Sequence, residues 1–504
     1  MPEANLSRRL SAQDASFLYG EREEAPLHIG SIAVLEGDVS YDRLLQHISA
    51  KLHMIPRYTQ RVVPAPFNIG HPTWEWDPDF DITRHISEVR IDAPGSHAQL
   101  IELAGRLFEP VLDRGKPLWE MFLVRGLEGD RSAVVSRVHH CLVDGVSGIE
   151  LLMIVFDISR DPAPPIPPAE QPERAPIPGP ASRFFDALWD NMADGVDRWA
   201  ARQRRIIDDI EDGRDRARRA FRAIETLAPY LRQPVDRAPF NKPLKGKRKL
   251  AVSEFSFAEI RAIRANCGGT VNDVCLTVLG TALGRYFELH GQKTDRRMAR
   301  ILTPVNIRKE DERGALGNRV SMLLVEVPVA PSDPLERLRA ITARTERLKR
   351  GNVAEGVEML GEVNNGIPPA LQALVGTLPT PPNTLANMIC TNVPGPMIPL
   401  YCVGHRMVAH YPMIPLGWEM GISCGVTSYD QKLYFGLMAD EDCAPDVERL
   451  KEFLDQAFVE LRSAAGVGRA DIPQVGIAQP VHGTATRRRR ASAPAAEALA
   501  ADAG

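Results

Sequence analysis

The run DPAPPIPPAEQPERAPIPGPAS, from Asp161 to Ser182, constrains the fold more than any other stretch. Proline has no amide hydrogen for a sheet ladder and breaks a helix interior, so a segment this dense in proline makes an extended linker. The chain is therefore expected to fold as two halves, which suits 504 residues, more than one hydrophobic core usually serves. Residues 1–160 read as mixed α/β. HIGSIAVLEGD, from His28, is a strand ending in a turn, and SYDRLLQHISAKLHMI places Leu44, Ile48 and Leu52 at helical spacing. Residues 161–248 hold the linker and then an arginine-rich helical crossover, with Trp199, Ile206, Ile210, Phe221, Ile224, Leu227 and Leu231 roughly on one face. In the second half, residues 249–472, TVNDVCLTVLGTALGRYFELHG is a helix with Thr270 as its N-cap, Asp273 as capping-box partner and Gly291 as its end. RVSMLLVEVPV and KLYFGLMAD read as strands. Residues 473–504, with the cluster Arg487 to Arg490, read as a solvated, disordered tail.

The balance of 61 basic against 65 acidic residues supplies no bulk field for nucleic acid. Seven cysteines without a C-x-x-C pair suit reduced thiols and a cytoplasmic setting. MPEANLSRRLSAQD lacks the apolar core of a signal peptide, and no run of about 18 apolar residues is present, so neither export nor membrane spanning is expected.

SRVHHCLVDGVSG, Ser136 to Gly148, puts two histidines where an apolar strand stops. The preceding PLWEMFLVRGLEGDRSAVVSRVHH reads as a hairpin: a strand from Leu118 to Leu127, a turn at Glu128 to Arg131, and a return strand from Ser132. With Gly129 and Asp130 at the turn's centre, Trp119 falls opposite His140. Adjacent strand residues point to opposite faces, so at most one of the two histidines serves a given pocket.

A metal site would need three ligands and an ordered shell behind them, and no H-E-x-x-H or cysteine pair provides these. GISCG, Gly421 to Gly425, matches the G-x-S-x-G nucleophile elbow in letters, but that motif requires a helix after the serine. VTSYDQKLYFGLMA comes next instead, which reads as a hairpin turning at Asp430 and Gln431. There remain His140 as a general base and two histidines merely packed in a turn. An imidazole ordinarily titrates near 6.5, so at neutral pH it can accept a proton from a hydroxyl attacking an activated electrophile such as a thioester. Gly145, with Ser147 and Gly148, would let a substrate pass close to backbone.

The segment His139-His140-Cys141-Leu142-Val143-Asp144-Gly145 resembles the H-H-x-x-x-D-G signature of the chloramphenicol acetyltransferase-like superfamily of CoA-dependent acyltransferases and condensation domains. Within it the chain is most similar to the bacterial wax ester synthase/diacylglycerol acyltransferase family. LSAQDASFLYGE, PLWE at Pro117, TVNDVCL around Asn272, PVNIR followed by GALGNRV, and TNVPGP at Thr391 match that family in order.

The resemblance implies a two-lobed α/β fold with an active-site channel between the lobes. It implies His140 as the base, His139 as its support, and Asp144 as a loop-holding residue paired with an arginine, Arg57 or Arg61. Asn272 and Asp273 would shape the channel, and Pro117, Leu118 and Trp119 would pack near the site. The implied substrates are a long-chain acyl-CoA and either diacylglycerol or a fatty alcohol, with no cofactor and no metal. The implied setting is the surface of a membrane or lipid droplet. A condensation-type enzyme taking its acyl group from a carrier protein, and a non-catalytic lipid-binding relative, stay open as alternatives.

Overall fold

Two six-stranded sheets carry the fold in the computed structural model, which describes residues 8–143, 148–162, 177–189, 234–306, 320–350, 367–377 and 385–470. The first contains β1 (His28–Glu36), β4 (Ile86–Arg90), β5 (Trp119–Leu127) and β6 (Arg131–His139), joined by β11 (Tyr401–Cys402) and β12 (His405–Met413) from far along the chain. Its order is β11-β12-β1-β6-β5-β4. The second contains β7 (Arg248–Ser256), β8 (Met298–Asn306), β9 (Val320–Pro328), β10 (Met388–Val393), β13 (Ile422–Tyr429) and β14 (Lys432–Asp440), in the order β7-β14-β13-β10-β8-β9. A short pair, β2 (Gln60–Val63) and β3 (Thr73–Trp76), stands apart. The described residues up to Gly468 belong to one compact unit. Among the described residues no helix is long and apolar enough to cross a membrane.

The local patterns act as expected where the forces are local. β1 covers the first strand, and the helix Tyr41–Lys51 buries Leu44 and Ile48, while Leu52 falls in the 3₁₀ turn after it. The helix Val271–Leu289 opens with the capping box: Asp273 N–H donates to Thr270 Oγ1 at 3.2 Å, and Thr270 N–H donates to Asp273 Oδ2 at 2.8 Å. Gly291 just beyond it takes a φ of +71°, the left-handed geometry that favours glycine after a helix. β9 and β14 occupy the two strand candidates. The arginine-rich segment, most of the proline linker and the Arg487 to Arg490 tail lie outside the described residues.

The hairpin forms but its register differs from the expected one. Trp119 lies opposite Val138, and His140 has already left the strand. Two displacements of one residue add. The loop has three residues, Glu128 to Asp130, and a bulge between Val124 and Leu127 takes up another residue on β5, with Gly126 at φ +87°.

β12 has two roles. It pairs antiparallel with β1, from Gly30 opposite Met413 to Leu35 opposite Met407, and with β11 on its other edge, and it also packs against β13 and β14 of the second sheet. Tyr429 and Tyr434 donate their hydroxyls to the Met407 and Val408 carbonyls at 2.8 and 3.1 Å. Gly436 lets the two backbones touch, since a Cβ there would stand 1.9 Å from the Pro412 carbonyl oxygen.

Candidate active site

His139 ends β6 and His140 begins a single 3₁₀ turn, His140–Leu142. The strand end is fixed on both sides: His139 N–H donates to the Leu118 carbonyl and His140 N–H to the Leu27 carbonyl, each at 2.9 Å. The side chains have unlike surroundings. His139 is completely buried, whereas His140 is half-buried with its ring stacked on Phe17, centroids 4.0 Å apart and planes 20° apart.

The tautomer of His139 follows from its neighbours. Cys141 N–H donates to Nδ1 at 3.2 Å, and the Cys141 sulfur lies 3.0 Å from the same nitrogen. Burial pushes that thiol well above its ordinary pKa, so it too is a donor. With Nδ1 accepting, the ring proton belongs on Nε2, which lies 3.4 Å from Glu21 Oε1, within electrostatic contact but without good hydrogen-bond alignment. Glu21 caps the C-terminal end of α1 (Ala12–Gly20), the helix that also carries Phe17. Its buried carboxylate accepts Leu27 N–H at 3.0 Å and Arg114 at 3.1 Å. Burial alone would raise the Glu21 carboxyl; His139, the Leu27 amide and Arg114 outweigh it and hold the group at about 2. His28, opposite His139 in β1, is kept neutral by burial, its pKa down at about 3, with its Nε2 3.0 Å from the Phe108 carbonyl.

The remaining expected residues take several places. Leu118 and Trp119 are enclosed behind the histidine strand. Trp119 donates its indole N–H to the Tyr58 carbonyl at 2.8 Å and stacks on His85. Pro117 precedes them and is buried too. Asp273 is fully occupied: Oδ2 serves the capping box and Oδ1 accepts the Thr345 hydroxyl at 2.7 Å. The Asn272 side-chain oxygen is buried without a hydrogen bond among the described residues. Asp144 and Gly145 lie outside the described residues, so the arginine partner of Asp144 does as well. Arg57 donates to Gln60 at 2.9 Å and lies over the Trp74 ring, and Arg61 donates to the Gly115 carbonyl at 3.2 Å. Among the described residues no three histidine, cysteine or acidic side chains gather to hold a metal ion.

Ser423 lies inside β13, fully buried, and gives its hydroxyl to the Ile414 carbonyl at 2.9 Å. The strand runs on to Tyr429 and turns directly into β14, so the helix required by a nucleophile elbow is replaced by a hairpin. Sequence reasoning missed Phe17, Glu21 and Leu27. For Phe17 and Glu21 the only signal was the stretch LSAQDASFLYGE, which stood out as a unit without a role for any member; Leu27 lies beyond it and had none.

Two family models match the chain: the wax ester synthase/diacylglycerol acyltransferase catalytic domain over residues 10–275 and the WS/DGAT C-terminal domain over residues 316–462. A Mycobacterium tuberculosis protein named "Probable diacylglycerol O-acyltransferase tgs1" is 30% identical over 458 residues, 90% of this chain and 95% of the relative. Among solved structures, the wax ester synthase/diacylglycerol acyltransferase of Marinobacter aquaeolei VT8 superposes with a TM-score of 0.62 at 22% identity, over 91% of this chain and all of that one. The first condensation domain of the calcium-dependent antibiotic synthetase superposes at 0.56 and 13% identity, over 93% and 98% of the two chains. The two sheets are thus the lobes of a chloramphenicol acetyltransferase-like α/β fold. The chain belongs to the wax ester synthase/diacylglycerol acyltransferase family and is an acyltransferase.

Proposed function

We propose that the protein transfers a long-chain acyl group from acyl-CoA to the hydroxyl of diacylglycerol, giving triacylglycerol, with fatty alcohols as second acceptors and His140 as general base. The observation that carries this reading is the contrast within the histidine pair: one ring is enclosed with its proton placed, and its neighbour is half-open. His140 takes the proton of the acceptor hydroxyl as that oxygen attacks the thioester carbonyl. The tetrahedral intermediate then collapses, the C–S bond breaks, and the CoA sulfur leaves as a thiol with the proton returned by the imidazolium. No covalent enzyme intermediate and no cofactor beyond the co-substrate are needed. Asp144 and Gly145, which lie outside the described residues, enter this reading only through the H-H-x-x-x-D-G resemblance, which gives them the loop beside the base. The relatives named diacylglycerol O-acyltransferase support the acceptor. Exposed Phe67, Phe185 and Trp189 support work at a membrane or lipid-body surface.

The test is acyl transfer from palmitoyl-CoA to dioleoylglycerol and to hexadecanol in parallel, for the native protein and His140→Ala. Loss of the base is expected to lower turnover by roughly 10² to 10⁴. Native turnover in His140→Ala would refute the base, and absence of any ester from the native protein would refute acyl-CoA as donor.

A further inference from the structure

We infer that Glu21 and Phe17 are positioning residues for the base, Glu21 by fixing His139 and the Leu27 peptide between which His140 is held, and Phe17 by fixing the plane of the His140 ring. The inference rests on His140 being the base. Phe17 lies in the last turns of α1 and Glu21 caps it, its N–H donating to the Phe17 carbonyl at 3.1 Å, and the two side chains reach His140 and His139 respectively. Two routes lead from the Glu21 carboxylate to His140.

One route runs through Leu27, whose N–H donates to Glu21 Oε1 at 3.0 Å and whose carbonyl accepts His140 N–H at 2.9 Å. The other runs through the His139 ring. An ionised carboxylate beside Nε2 keeps the proton there, which leaves Nδ1 to accept Cys141 N–H and so cap the 3₁₀ turn that His140 begins. If the proton moved to Nδ1, two donors would face each other and the turn would lose its cap. Arg114 holds the carboxylate from the far side and donates also to the Leu18 carbonyl at 2.7 Å, tying it to α1. A buried charge is costly unless paired. This one is held by contacts that lead to the histidine pair, whereas packing alone needs only an apolar side chain.

The experiment compares kcat, KM and the pH profile of kcat/KM, with palmitoyl-CoA and dioleoylglycerol, for the native protein, Glu21→Gln, Phe17→Leu, Phe17→Tyr and His140→Ala. Near-UV circular dichroism of each checks that tertiary packing is retained. Glu21→Gln is expected to lower kcat by about 10- to 100-fold, the scale of a small misplacement, with KM within about twofold. It should also move the acid limb to lower pH, because a lost neighbouring anion makes the imidazolium harder to form. Phe17→Leu moves the limb the same way by removing the ring that faces the cation, and Phe17→Tyr restores native behaviour. Native kcat and an unmoved acid limb in both Glu21→Gln and Phe17→Leu, beside an inactive His140→Ala, would overturn the positioning role and leave the base intact. Native activity in His140→Ala would overturn the base and this inference with it.

Discussion

Glu21 gives the fold a measurable dependence on acid. Its carboxyl ordinarily titrates at 4.5 and is held at about 2 in the folded chain, because His139, the Leu27 amide and Arg114 together exceed the cost of burial. The native state therefore binds fewer protons at this site than the unfolded chain does. The stabilisation is complete above about pH 4.5 and is lost as pH falls towards the folded value. The fall from 4.5 to about 2 corresponds to about 3 kcal/mol at roughly 1.36 kcal/mol for each tenfold change in proton affinity. The side chain is only 3% exposed, so solvent screening does little to reduce this. By pH 3.5 roughly 1 kcal/mol of it is gone. Glu21→Gln keeps the shape and removes the titration. Urea unfolding followed by the fluorescence of the six tryptophans, at pH 7 and at pH 3.5, is expected to show the stability gap between native protein and variant narrowing by roughly 1 kcal/mol. An equal gap at the two pH values would refute the reasoning, because the carboxyl would then titrate alike in the folded and unfolded chains.

Gly436 and Gly425 are paired across β13 and β14 and both face Pro412, but a Cβ would come within 1.9 Å of the Pro412 carbonyl oxygen at the first and 3.1 Å at the second. Gly436→Ala is expected to cost about 3 kcal/mol by overpacking and Gly425→Ala under about 1 kcal/mol; thermal melts that rank them equal or reversed would contradict the close crossing of β12. Ser423→Ala is expected to leave palmitoyl transfer unchanged and to cost about 1 kcal/mol for the lost bond to Ile414. Loss of activity there without loss of folded protein would revive the nucleophile reading.

How much the sequence discloses depends on the range of the forces involved. The capping box at Thr270 and Asp273 and the hairpin leading to His139 depend on residues a few positions apart, and both are legible before any coordinates. The register of that hairpin is not, because a bulge at Gly126 has no cost visible in the letters and moves every partner beyond it. The G-x-S-x-G match shows the converse: its letters suggest chemistry, and only the strand character of the residues after Ser423 removes it. His140 is legible through the spacing of a motif. Glu21 and Phe17 are not, since in a helix their pattern is that of an ordinary half-buried face, and their meaning comes from β6, more than a hundred residues away along the chain.

The pairing of β12 with β1 also sets a timetable for synthesis. β1 finds β6 once His139 has been made, but its other edge stays open until Met413, which is 413 − 139 = 274 residues later. At about 5–20 residues per second this interval is roughly 14 to 55 s, long compared with the folding of most small domains. Throughout it the nascent chain presents a row of unpaired amides and carbonyls along β1, the kind of edge that joins the wrong partner when copies are crowded on neighbouring ribosomes. The strand that covers this edge is made long after the hairpin it joins, so the order of translation leaves β1 half-paired for most of the time in which the rest of the fold is being made.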